Sequence, residues 1–224
     1  MQLDLFEDSR DVLLNNAVVA AFAAHDADAT ALAIAALGDE FPRHHDLPRH
    51  RRLLEQLGDF RRNLQPGSLQ TRHRQRVQTL LPLAGQLFGA DRAIAWARPL
   101  WAALARTAAA LDYDNAQPEI HAAPLWLAAG APGDARSAIE RIPSWRRIPA
   151  PLAWMSEIEI RHGAPEAWWP LLAELAWLAP ERLEPLLVAA PVAVTRLKLQ
   201  FLGEFEKNGA RDALGWCPAW LLIH

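Results

Sequence analysis

The sequence predicts an all-α protein made of stacked antiparallel helical hairpins. Three observations predict it. About half of the 224 residues are apolar, Ala and Leu dominate, and there is a single tyrosine; such a composition favours helices over sheets. Apolar residues recur at helical rather than alternating spacing. Proline and glycine punctuate the chain every few turns, which keeps each helix short.

The first helix is expected from about Arg10 to Ala24, with Val12, Val19 and Phe22 on one stripe and Leu13, Ala17, Ala20 and Ala24 beside it. His25-Asp26 breaks the run. A second helix follows, with Ala29, Leu32, Ala33, Ala36 and Leu37 as its packing face, and Gly38 and Pro42 end it. Two short helices joined by a tight turn form a hairpin. Asp46 and Pro48 read as the cap and first turn of a third helix, with Leu53, Leu54, Leu57 and Phe60 inward. Residues 63–68 form the clearest loop, a soft joint. A longer helix then carries Val77, Leu80, Leu81, Ala84, Leu87 and Phe88, with a kink or break expected at Pro82. Asp91 caps the next, with Ile94, Trp101, Leu104, Ala108 and Leu111 on one face and a kink expected at Pro99. After the turn at Asp112-Tyr113-Asp114-Asn115, short helices run closely punctuated to the end.

Cys217 is the lone cysteine, which excludes an intramolecular disulfide and a cysteine-based zinc site and fits a reducing cytoplasm. The first ten residues are acidic, unlike a signal peptide, and no apolar run approaches the roughly 18–20 residues that span a bilayer. A cytoplasmic protein with no membrane partner is expected. Charge is unevenly placed. Residues 1–40 carry eight acids against one base, and residues 43–76 carry nine arginines against three acids.

Gly130-Ala131-Pro132 recurs 33 residues later as Gly163-Ala164-Pro165. Five, nine and twelve residues after Gly163 stand Trp168, Leu172 and Leu175, with Pro180 at seventeen. From His25 the same offsets give Thr30, Ile34, Leu37 and Pro42. From Gly130 they give Ala135, Ile139 and Ile142, with Pro143 arriving early. On these positions the chain resembles a degenerate tetratricopeptide repeat protein. It departs from that family in the first helix of each pair, where the usual Trp, Gly and Tyr positions are not met. The resemblance implies an α-solenoid, a quasi-one-dimensional stack with a concave face, and hence one helical-repeat domain over residues 10–224 behind an N-terminal peptide, 1–9.

Clustered arginines are what phosphate contacts need. Arg43, Arg49, Arg51, Arg52, Arg61 and Arg62, followed by Arg72, Arg74 and Arg76, form a candidate phosphate or nucleic-acid patch, the alternative being a solvated helix face. Only Phe60 interleaves them, so base stacking is not indicated. His44, His45, His50 and His73 fall in the same stretch. The spacing of His44-His45-Asp46 is not one expected to converge on a metal, and neither a metal nor a cofactor is expected. No phosphate-binding glycine loop, dinucleotide fingerprint, HExxH helix or GxSxG elbow occurs. The carboxylate pairs Glu157/Glu159 and Glu204/Glu206 are two residues apart, a spacing that does not share a helix face. No catalytic residue is singled out, and a non-enzymatic role is expected.

All ten tryptophans lie beyond residue 95. Core packing explains most of them. Trp168 and Trp169 are the candidates for a protein-binding face, because adjacent helical residues point about 100° apart and cannot share one narrow core stripe. The closing run Trp216–Ile223 is apolar enough to dock as a cap on the last hairpin or on a partner.

One short stretch points to a specific partner. Gln2-Leu3-Asp4-Leu5-Phe6 matches all five positions of the peptide by which bacterial replication and repair proteins bind the DNA sliding clamp: Gln, Leu, Ser or Asp, Leu, Phe or Leu. The resemblance covers these five residues. It implies Leu5 and Phe6 as apolar anchors, each contributing roughly 1.5–3 kcal/mol on burial, Leu3 in a shallower site, the Gln2 amide at the pocket edge and Asp4 outward. With one residue before Gln2, the segment is expected to be free to reach a partner. A structural role competes with it. Asp8 or Ser9 can cap the first helix, and Phe6 can then fold back on the first turn as a staple. The expected function is thus an adaptor or scaffold recruited to the sliding clamp. The alternative is a general protein-interaction solenoid with a structural N-terminal tail.

Overall fold

A computed structural model describes residues 9–62, 64, 69–162, 165–190, 192–205 and 214–221. Among them every regular element is a helix. The chain divides into two units, 1–108 and 109–224.

The first unit holds α1 (Arg10–Ala23), α2 (Ala27–Glu40), α3 (Leu47–Arg62), α4 (Leu69–Phe88) and α5 (Ala90–Ala108). Each packs on the next up to α5, with α1/α2 and α4/α5 the closest pairs. Ser9 stands at the N-cap of α1, and its carbonyl accepts from the Leu13 N–H at 3.1 Å. The chain reverses at His25, whose φ of 56° lies in the left-handed region. Asp26 then caps α2, its carboxylate accepting from the Asp28 and Ala29 N–H groups and satisfying two of the donors a helix start leaves over. The reversal is braced from two sides. The Arg61 guanidinium donates to the His25 carbonyl at 2.8 Å. Trp96 donates its indole N–H to the Phe22 carbonyl, also at 2.8 Å, while its ring stacks on His25.

The expected faces are partly rotated. On α1 the buried residues are Val18 and Phe22. On α2 they are Thr30, Ile34 and Leu37, while Leu32, expected inward, is 73% exposed. An Ala-rich helix is apolar around most of its girth, so packing rather than periodicity selects the face. On α3, Leu53, Leu57 and Phe60 are buried as expected, joined by Leu47 and His50. On α5, Ile94 is exposed and Ala93, Trp96, Ala97 and Leu100 take the core beside Trp101 and Leu104. The helices α4 and α5 run on through Pro82 and Pro99. Both prolines lie on exposed faces, where water can satisfy the carbonyl that the missing N–H leaves over. Of the 63–68 joint only Leu64 is described; it lies between α3 and α4, which pack on one another.

The second unit holds α6 (Ala122–Ala129), α7 (Pro132–Glu140), α8 (Pro149–His162), α9 (Pro165–Leu178), α10 (Leu183–Ala189), α11 (Val192–Phe205) and α12 (Cys217–Leu221). Here α6/α7 and α8/α9 are the closest pairs. The turn at 112–115 closes on Asp114, whose carboxylate accepts from the Ala116 N–H at 2.8 Å. Gly130 ends α6 at φ 74°, the left-handed cap that glycine adopts without cost to a side chain. The repeat offsets fall on the core in both units. Thr30, Ile34, Leu37, Ala135, Ile139, Ile142, Trp168, Leu172 and Leu175 are all buried. Gly163 and Ala164 lie outside the described residues. The C-terminal run docks on its own unit. Cys217 is buried, and Trp220 meets the Phe201 ring edge-on and donates its N–H to Glu204 at 3.0 Å.

Candidate functional site

On α4, Arg72, Arg76, Leu80 and Ala84 follow one another at four-residue intervals, so they share one side of the helix. Leu80 and Ala84 are buried, and the stripe continues toward the N-terminus as two arginines rather than through Val77, which is exposed. Arg76 is only 5% exposed. Its guanidinium lies against the ring of Phe60, in the last turn of α3. Both Arg76 Nη atoms and Arg72 Nη1 are buried without a hydrogen-bond acceptor among the described residues. Burial, with the Arg72 charge beside it, pushes the Arg76 guanidinium down to about 8.

The two arginines open on a cavity of about 320 Å³, completed by Gln56, Asp59, Phe60, Gln75 and Leu80. Asp59 is the carboxylate on its wall, and it pairs with Arg62 on its own helix. In the sequence these arginines belong to one charged stretch, yet two of them turn inward. The signal was present: Ala84 and Leu80, extended backward by fours, name Arg76 and Arg72.

The other arginines of the stretch are largely engaged close to home. Arg49 pairs with Asp46, Arg62 with Asp59, and Arg61 with the His25 carbonyl. Arg51 reaches over Gly38 on α2: a Cβ there would meet Arg51 Nη2 at 3.1 Å. Arg43 and Arg52 are exposed, and the Arg74 side chain lies outside the described residues.

The geometry corrects the spacing argument about His44-His45-Asp46. One ligand atom from each lies within 4.8 Å of the others. The turn before α3 folds back on itself and stacks the two imidazoles. These groups already have partners: His44 Nδ1 accepts from the Asp46 N–H, and the Asp46 carboxylate takes His45 on one oxygen and Arg49 on the other.

In the second unit a cavity of about 730 Å³ is lined by Tyr113, His121, Arg141 and Ile142 among others. His121 is a helix cap: its Nδ1 accepts from the Ala123 N–H, and its ring stacks parallel on Trp154. Burial holds it below the usual histidine range. Glu157 and Glu159 turn to different partners, Arg161 on α8 and Arg136 on α7. Trp168 is buried and Trp169 half-buried, the two rings in contact. The exposed tryptophans are Trp177, at 86%, and Trp216, at 66%. They sit on adjoining segments, since a Cβ on Gly215 would lie 3.5 Å from the Ala176 carbonyl.

Gln2, Leu3, Asp4, Leu5 and Phe6 lie outside the described residues. No described helix is long and apolar enough to cross a membrane. Comparison with protein-family models, with curated proteins and with solved structures gives no match for the chain.

Proposed function

We propose that this protein is a non-enzymatic adaptor built of tetratricopeptide-like hairpins and recruited to a bacterial DNA sliding clamp through Gln2–Phe6. The five-position match of that peptide carries the reading. The helical body supports it, since stacked hairpins offer long surfaces for partners. The test is a binding titration of the purified chain against purified clamp. Wild type binds, and Leu5→Ala with Phe6→Ala weakens binding about 100-fold or more, because two apolar anchors are lost together. Absence of wild-type binding ends the reading. Thermal melts of the same double variant separate a docking peptide from a structural tail: the docking role leaves the midpoint unchanged, and a staple role lowers it.

The second reading is an interaction protein with no tie to DNA. It is favoured by the exposure of Trp177, Leu178 and Trp216 in the second unit, since tryptophan is enriched where proteins bind one another. Under it the chain ignores the clamp, and Trp177→Ser with Trp216→Ser abolishes its association with a partner protein while leaving the melt unchanged.

A further inference from the structure

We propose that the cavity between α3 and α4 binds one phosphate monoester group of a small molecule, held between the Arg72 and Arg76 guanidiniums. Arg76 is nine-tenths buried, lines the cavity, and finds no acceptor for either Nη among the described residues; Arg72 Nη1 is in the same position. A buried cation whose nitrogens find no hydrogen-bond acceptor among the described residues is held at a cost. Its retention on a stripe that otherwise reads Leu80 and Ala84 calls for an anion. The Arg76 guanidinium lies against the Phe60 ring, and a guanidinium fork suits a tetrahedral oxyanion. An anion beside it would raise the Arg76 guanidinium back toward its ordinary range.

Charge and size narrow the class. Two guanidiniums facing one cavity match a dianion better than a carboxylate. The Asp59 carboxylate on the same wall, paired with Arg62, disfavours a second phosphate, so the rest of the ligand is neutral. Gln56 and Gln75 supply amides for the same neutral part. A nucleic-acid strand is the lesser fit. It needs a run of cations along a face, and Arg49, Arg61 and Arg62 are already paired.

The experiment is calorimetric titration of the full chain with inorganic phosphate, glycerol 3-phosphate and a single-stranded oligonucleotide, with thermal melts in parallel at matched ionic strength. Glycerol 3-phosphate is expected to bind more tightly than inorganic phosphate and to raise the melting midpoint. Arg72→Gln and Arg76→Gln are each expected to weaken it about tenfold or more, while Arg52→Gln, exposed on α3, leaves it unchanged. Arg72 is half-buried, so Arg72→Gln decides the matter even if Arg76→Gln unfolds. Three results overturn the proposal: no binding of either phosphate at millimolar concentration, binding indifferent to Arg72→Gln, or inorganic phosphate binding as well as the ester. Oligonucleotide binding tighter than the ester and steeply salt-dependent overturns it in favour of a nucleic-acid face.

Discussion

Buried polar side chains carry most of the information at the scale of single residues. His50 is fully buried on α3 against Phe22, and neither ring nitrogen has a partner among the described residues. Burial pushes it down to about 4; Asp46 opposes the shift, and His44 and His45 add to it. The folded value lies below the ordinary one of 6.5, so the unfolded chain binds more protons between those limits. Stability is therefore complete above pH 6.5 and drains away as pH falls toward 4, by about 2–4 kcal/mol for this group. Urea unfolding at pH 7 and pH 4.5 should show the loss, and His50→Leu should remove most of it. At pH 7 that substitution should be close to neutral, because it fills a similar volume and removes two unsatisfied nitrogens. Arg76 is the opposite case. Its buried cation has a cavity in front of it, and an anion rather than a hydrophobe is the natural complement.

Among the elements, local signals place the ends and packing places the faces. Asp26 begins α2 with its side chain as cap, and Gly130 ends α6 in the left-handed region. The face expected on α2 was Ala29, Leu32, Ala33, Ala36 and Leu37, of which only Leu37 is buried; Thr30 and Ile34 complete the core side. Proline is the other local signal. Pro82 sits inside α4 without ending it, because its exposed position gives the freed carbonyl to water. It still withholds a backbone bond, so Pro82→Ala should stabilise the first unit by about 1–3 kcal/mol, measured as a shift of the denaturant midpoint at constant slope. No change would mean that α4 has already absorbed the proline elsewhere along its length.

For the molecule as a whole, the division between residues 108 and 109 is the main consequence of tertiary contacts. Each unit has its own core: Phe22, Leu37, Leu53 and Leu104 in the first, and Leu125, Ile139, Leu152, Leu172 and Phe201 in the second. Residues 109–224 expressed alone should therefore give a helical circular-dichroism spectrum and a cooperative melt; a featureless melt would show that the second unit borrows its stability. The sequence by itself determined that the protein is helical, because composition, spacing and punctuation act within a few residues of one another. It also placed the helix starts after Ser9 and Asp46, whereas Asp91, expected to cap α5, lies inside its first turn. The tertiary structure alone decided which side of an Ala-rich helix is buried, that the His44, His45 and Asp46 side chains converge, and that the tryptophans left in solvent are Trp177 and Trp216. It alone turned Arg76 inward over Phe60 and set Arg72 beside it on the same cavity. These depend on what lies opposite each side chain across the core, and a neighbour distant along the chain leaves no mark on local periodicity.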